Sequence, residues 1–375
     1  MRILFISSYS LLYGANRSLL TLMCYLKDHG FQVKVIIPMH GEYEKALQQQ
    51  GIEYEVIRMF NQFLYYKPIR KYLILPFLIL WDIFCFPYFL YKIKKFSPTL
   101  IYSNAASECL GGLIAKCLHV KHIWHIREFM DRDYNARFYL GNSVRKCYIN
   151  MSDGALFVSK TVGDAMLLGD ELKPHQRVIY NGIDLPVPPM TDKDINKMNP
   201  NFGIVGVLCD GKGQKKGVML MSKILAHYPN AQLHVFGDRD GSYKRSLVAL
   251  AEQSGVLDHI VFHGFQKELD NIYPTIDILL MFSRSEGFGR VTVEAMNYGV
   301  PVIGYDNAGT SEIIESGKDG FLFKSDEDFL KSLDSLMADS STFNKIRQAA
   351  YDKVRKDFNV EKYCSNVMKF IKEIV

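Results

Sequence analysis

A chain of 375 residues exceeds what one hydrophobic core comfortably holds, so two domains are expected. A hydrophobic fraction of 48% and a charged fraction of 23% are ordinary for a globular protein. A formal net charge of +5 gives no electrostatic case for a nucleic-acid partner.

The opening "MRILFISSYS" reads as a first strand rather than a signal peptide, because its apolar run is only about five residues. The seven cysteines are scattered, with no C-x-x-C, which points to reduced thiols in a cytosolic setting. "GANRSLLTLMCYLKDHG" follows as a helix, with Leu19, Leu22, Met23 and Leu26 at helical spacing and Gly30 as its stop. "QVKVIIP" is the next strand, and "TLIYSN", "VKHIW", "GALFVS" and "RVIYNG" continue the series to about Gly182. "LPVPPMTDKDINKMNPN" then holds four prolines and no apolar periodicity, as a linker does. A second series follows: "FGIVGVL", "AQLHVFGD", "HIVFHG", "DILLMFS" and "VPVIGY", separated by helical stretches. Strands alternating with helices predict α/β architecture, with two doubly wound parallel sheets facing a cleft. The expected domains are 1–182, a linker over 183–200, a second domain over 201–356, and a helix over 357–375 packing back on the first domain.

The run Tyr72–Tyr91, "YLILPFLILWDIFCFPYFLY", is unusual, with Asp82 as its one charge. Lys67, Arg70 and Lys71 precede it; Lys92, Lys94 and Lys95 follow. Its length suits a membrane span. However, strand-like "IEYEVI" lies before it and "TLIYSN" after it, and strands of one sheet cannot be separated by a bilayer. Pro76 and Pro87 also speak against a straight helix. Two readings remain: a shallow insertion over 72–95 facing anionic lipid, or a buried core helix.

"SEGFGRVTVEAMNYGVPVIG" (Ser285–Gly304) carries the densest functional signal. The loop Glu286-Gly287-Phe288-Gly289 lies between a strand ending at Ser283 and a helix beginning near Arg290. Ligands bind at that carboxyl end of parallel strands. Glycines allow close backbone approach, and free amides at a helix start suit a phosphate. Glu294, in the first turns of that helix, could reach a ribose hydroxyl pair, and Glu286 could accept from sugar hydroxyls. The plainer alternative is that both acids merely complement the helix N-terminus.

With these residues in view, the sequence resembles the retaining glycosyltransferases of family 4, which have the two-domain GT-B fold. Glu286 and Glu294 form an E-x7-E pattern inside "SRSEGFGRVTVEAMNYGVPVIGYDNAGTSEII". "VIYNGIDL" is similar to the family's interdomain segment, "GVLCDGKGQ" to its phosphate-binding loop, "WHIREF" to an N-domain loop facing the cleft, and "YGANRSLL" to its first glycine-containing loop and helix. The resemblance implies that Glu294 binds the nucleotide ribose and Glu286 the donor sugar, with the amides of Phe288 and Gly289 lining sugar and diphosphate. It implies that Lys212 holds the diphosphate, with Lys216 as a second candidate, that His125 approaches the donor sugar, and that the backbone at Gly14 closes over the phosphates. Two departures stand out. Val207 occupies a position where the family often has arginine, which shifts the charge to Lys212 with Lys216 or Arg290. Ala308-Gly309 replaces the usual Gly-Gly.

The activity so implied is transfer of a sugar from a nucleotide-diphosphate sugar, without metal or other cofactor. The acceptor would be a lipid-linked saccharide or oligosaccharide of surface polysaccharide assembly. The enzyme would be cytoplasmic, peripheral at the inner membrane face, with an anionic surface touching 72–95. The alternatives are a sugar-nucleotide epimerase of the same build and a silent sugar-nucleotide binding protein. "GKGQKKG" could be a solvated basic loop, His125 a satisfied histidine at a strand end, and Gly14 a turn glycine. The D-x-D patterns at Asp131-Arg132-Asp133, expected in a loop, and Asp238-Arg239-Asp240 lack a supporting ligand pattern for a metal.

Overall fold

The computed structural model describes residues 1–375 except 59–62, 66–72, 74, 108, 135, 139, 185, 187, 196, 239 and 240. Lys67, Arg70, Lys71 and Tyr72, and Arg239 and Asp240 of the second D-x-D pattern, lie outside the described residues. The chain divides into two compact units, Met1–Gly182 with Val360–Val375, and Ile183–Asn359.

In the first unit, the strands are β1 (Arg2–Ser7), β2 (Gln32–Ile37), β3 (Glu53–Val56), β4 (Phe63–Tyr65), β5 (Leu100–Asn104), β6 (Lys121–Ile126), β7 (Ala136–Phe138), β8 (Gly154–Phe157) and β9 (Gln176–Val178). Seven of them form a parallel sheet in the order β3-β2-β1-β5-β6-β8-β9, and β4 pairs antiparallel with β7. Alternation along β1 explains why its sequence is apolar throughout. Ile3 and Phe5 join one core with Leu19, Leu22 and Leu26 of the Gly14–Asp28 helix. Leu4 and Ile6 join another with Phe89, Ile93 and Ile114. Both faces are covered, as parallel sheets require. The Val360–Ile374 helix belongs to this unit, with Val367, Phe370 and Ile371 in the first core. It is seated closely: a Cβ at Gly154 would stand 2.8 Å from the Phe370 ring.

The apolar run forms one helix, Leu75–Phe96, so the expected break at Pro87 does not occur. Pro76 falls in the first turn, where no intrahelical N–H bond is lost; Pro87 is inside the helix. The helix is long and apolar enough to cross a membrane by length and composition alone. Its two ends differ. Phe89 and Ile93 are buried against the sheet, whereas Phe77, Leu80, Ile83 and Phe84 are 62–80% exposed. Asp131, expected in a loop, lies in the short Met130–Tyr134 helix.

In the second unit, the strands are β10 (Asn201–Val205), β11 (Gln232–Phe236), β12 (Ile260–Gly264), β13 (Ile278–Met281), β14 (Val302–Tyr305) and β15 (Phe321–Phe323). They form a parallel sheet in the order β12-β11-β10-β13-β14-β15. The proline-rich segment before β10 is held on this unit. Lys193 N–H donates to Asn344 Oδ1 at 3.0 Å, and Arg347 Nη1 donates to the Thr191 carbonyl at 3.1 Å. In both sheets the strand order reverses beside the first strand, between β1 and β5 and between β10 and β13. Crevices at the carboxyl ends of strands form at such points.

Candidate functional site

At the reversal point of the second sheet, three loops are knitted together. They follow β10, β13 and β14, which are neighbours in the sheet. Arg284 N–H donates to the Gly211 carbonyl at 3.1 Å, and Gly309 N–H to the Glu286 carbonyl at 2.8 Å. Asn307 Nδ2 donates to the Arg284 carbonyl at 2.6 Å. Two glycines make this approach possible. At Gly213 (φ +74°) a Cβ would lie 2.2 Å from the Phe282 carbonyl oxygen, and at Gly309 one would lie 2.5 Å from that of Phe288. Ala308 takes φ +46°, a left-handed value more natural to glycine.

This knit brings Lys212 and Glu286 into contact, Nζ to Oε2 at 2.7 Å. One helix turn further, Glu294 is 6% exposed and both its oxygens are engaged. Arg290 Nε donates to Oε1 at 2.7 Å, and the Tyr273 hydroxyl donates to Oε2 at 3.0 Å. Burial, then the Glu294 charge, holds the Tyr273 phenol well above its ordinary range, so it stays a donor. Gly289, at φ +99°, starts the Arg290–Asn297 helix with no side-chain cap on its amides. Nearby, Ser283 Oγ, Thr292 Oγ1 and Thr310 Oγ1 are buried without a hydrogen-bond partner among the described residues. Such groups need one. The arrangement therefore offers a cation, a helix start, unsatisfied hydroxyls and two carboxylates, the chemistry that a phosphorylated, hydroxyl-rich ligand requires.

The other expected residues are placed differently. Lys216 is paired with Asp326, which Lys223 also reaches at 2.9 Å, so it braces two helices. Val207 is exposed. His125 and Gly14 belong to the first unit. Gly14 opens its helix without a side-chain cap; its φ is not positive, and a Cβ there would meet nothing within 4 Å. The turn itself thus does not demand glycine. His125, at the end of β6, is fully buried. Its Nδ1 is 2.5 Å from the Tyr102 hydroxyl, and its Nε2 has no partner among the described residues. Burial, then the charge of Arg127, holds its pKa well below the imidazole range. Among the described residues no three His, Cys, Asp or Glu side chains are grouped to hold a metal ion. Tyr273 and the three unpartnered hydroxyls escaped sequence reasoning, since only their spatial meeting with Glu294 and the loop singles them out.

Two parallel doubly wound units with a phosphate-type loop at the second sheet's reversal point have the architecture of the GT-B fold. A family model described as Glycosyl transferases group 1 matches residues 190–353, and one described as Glycosyltransferase Family 4 matches residues 13–186. The chain belongs to this glycosyltransferase family. It is similar to the Vi polysaccharide biosynthesis protein VipC/TviE of Salmonella typhi, 26% identical over 40% of this chain and 27% of that protein. It is also similar to the sulfoquinovosyl transferase SQD2 of Arabidopsis thaliana, 26% identical over 72% of this chain and 56% of that protein. The match thus spans between about a quarter and somewhat over half of these curated relatives' length. Among solved structures, Anabaena Alr3699/HepE in complex with UDP superposes with a TM-score of 0.80 at 20% identity, over 100% of both chains.

Proposed function

We propose that the chain is a retaining, metal-independent glycosyltransferase acting on a nucleotide-diphosphate sugar. The Lys212–Glu286 pair beside the Gly289 helix start carries this reading. A diphosphate would draw Lys212 from Glu286 and be met by the amides at the start of the Arg290–Asn297 helix. Glu294, fixed by Arg290 and Tyr273, still has lone pairs for the two ribose hydroxyls. Glu286 then turns to hydroxyls of the sugar. As the anomeric carbon–oxygen bond breaks, negative charge grows on the diphosphate, and pre-placed donors stabilise it. The acceptor hydroxyl attacks from the face the diphosphate leaves and gives its proton to the departing phosphate oxygen. No carboxylate is assigned as nucleophile or general base. UDP in the Anabaena complex makes uridine donors the first to test.

The acceptor we propose is a lipid-linked saccharide of surface polysaccharide assembly, met at the cytoplasmic membrane face. The Salmonella relative's role in polysaccharide biosynthesis supports this, as do the exposed apolar turns of the Leu75–Phe96 helix. Lys94 and Lys95, exposed at its far end, supply charge for anionic lipid. The test is incubation with a panel of nucleotide sugars, preceded by a thermal-shift screen of nucleoside diphosphates. Sugar transfer or slow donor hydrolysis supports the reading. An isomerised nucleotide sugar would mean an epimerase, and an intact donor that still raises the melting temperature would mean a silent binding protein.

A further inference from the structure

Arg127 follows β6, two residues past His125, and is only 5% exposed. Its guanidinium reaches three groups far apart in sequence. Nε donates to Asn104 Oδ1 at 2.6 Å, Nη1 to Asn181 Oδ1 at 2.5 Å, and Nη2 to the Tyr363 hydroxyl at 2.7 Å. All three partners are neutral. A buried cation held without a carboxylate gains no ion-pair energy to set against its lost hydration. A residue needed only to fill this space would be apolar. What arginine adds is a rigid planar fork whose donors diverge, which no lysine reproduces.

The three partners share a topological role. Asn104 ends β5. Asn181 is the second-last residue before the chain leaves the first unit at Gly182, and Tyr363 is the fourth residue after it returns at Val360. One guanidinium therefore binds a strand end and both crossing segments. His125 sits in the same cluster. Its ring lies 6.4 Å from that of Tyr363, and the Arg127 guanidinium is 5.8 Å from the same ring. The His125 carbonyl accepts from Ala105 N–H at 2.9 Å, with Ala105 held at φ +91°. A non-glycine residue keeps such a value only where its surroundings impose it.

We infer that Arg127 is a positioning residue for sugar transfer: its fork locks both crossing segments, through Asn181 and Tyr363, to the strand ends that carry Asn104 and His125. The inference rests on the proposed activity for its kinetic consequence but not for the lock itself. Arg127 is buried, with its three donor groups taken up by protein partners. Its effect passes through the orientation of His125 and the rigidity of the crossing segments.

The test compares wild type with Arg127→Gln, Arg127→Lys and Asn181→Ala in the full chain. Amide hydrogen exchange is followed over 180–184 and 358–364, together with UDP and GDP affinity and steady-state kinetics. Arg127→Gln should exchange at least tenfold faster in both segments. The affinity for the free diphosphate that wild type binds should stay within twofold, because Lys212, Glu286 and Glu294 lie in the other unit. Turnover should fall at least tenfold, with little change in donor KM. Arg127→Lys should recover less than half of that loss, since the charge returns without the fork. Asn181→Ala keeps the cation and should free chiefly the 180–184 segment, which keeps the test open if Arg127→Gln fails to fold. Unchanged exchange in both segments, or turnover within twofold of wild type, overturns the inference. A wild type inert toward every nucleotide sugar overturns the proposed function instead, and the exchange data alone then decide the lock.

Discussion

The Lys212 ammonium lies 2.7 Å from the Glu286 carboxylate, across loops that follow two different strands. Each group is the charge that the other's proposed ligand must displace. Glu286→Gln should therefore free Lys212 and leave free nucleoside diphosphate binding unchanged or up to about fivefold tighter, since partly exposed pairs are worth about 0.2–1 kcal/mol. Turnover should fall strongly, because the sugar loses its acceptor. Calorimetry with the diphosphate beside a donor-turnover assay reads both. Weaker diphosphate binding in this variant would contradict the division of roles.

Glu294 has a different partner set, and its loss should act on the nucleotide. Glu294→Gln keeps an acceptor for Tyr273 but loses the charge facing Arg290 and the ribose. Hydrogen bonds to charged groups contribute about 1.5–3 kcal/mol, so affinity should drop by about 10- to 150-fold. A matched 2′,3′-dideoxynucleotide should bind wild type and variant alike. If the variant discriminates the two nucleotides as wild type does, Glu294 does not read the ribose.

The Leu75–Phe96 helix separates two kinds of phenylalanine. Phe89 is 2% exposed in the core, and its replacement by alanine should cost about 3–5 kcal/mol of stability. Phe77, Leu80 and Phe84 are exposed, so a triple serine variant should melt like wild type yet leave the membrane pellet. Lys92 is held by Glu55 at 2.6 Å, so the lipid-facing charge falls to Lys94 and Lys95, at about 1 kcal/mol each. Co-sedimentation with phosphatidylserine vesicles at two salt concentrations measures this. A wild type that ignores such vesicles would remove the membrane part of the proposal.

His122 makes stability depend on pH. Buried between the Ser103 and Ser152 hydroxyls, it is pushed down to about 3 by desolvation, against a smaller opposing pull from Asp153. Above about pH 6.5 it is neutral both folded and unfolded, and its contribution to stability is flat. As pH falls from there toward 3, the unfolded chain takes a proton that the folded one refuses, and stability is lost. The slope is about 1.4 kcal/mol per pH unit. His122→Asn should make the fall between pH 6 and 4 shallower by about that amount in urea titrations, with buried His125 still contributing its own share.

Chelation tests the charge assignment. With Lys212 and the helix start meeting the diphosphate, turnover in excess EDTA should stay within about twofold of the untreated rate. A loss restored by magnesium or manganese would reopen Asp131 and Asp238 as ligands.

The two sheets were legible because parallel strands buried on both faces leave unbroken apolar runs, as Ile3 to Ile6 do. The Glu286 and Glu294 loop was legible because its glycines and acids are close in sequence. The pairing of β4 with β7 was not, since three-residue strands carry too little periodicity. Nor was the continuation of the helix through Pro87, beyond which Phe89 and Ile93 pack into the core. The Arg127 hub was invisible for another reason: its partners lie 23, 54 and 236 positions away, beyond any local pattern.

The return of residues 360–374 to the first unit also orders events during synthesis. The second unit is continuous in sequence and can close its core once Asn359 is free of the ribosome. The first unit begins earlier yet finishes later. Until Val367, Phe370 and Ile371 arrive, the core they complete stays uncovered throughout translation of the intervening unit. A stalled chain released before residue 360 should therefore aggregate through its earliest-made half, while its latest-made half is already folded.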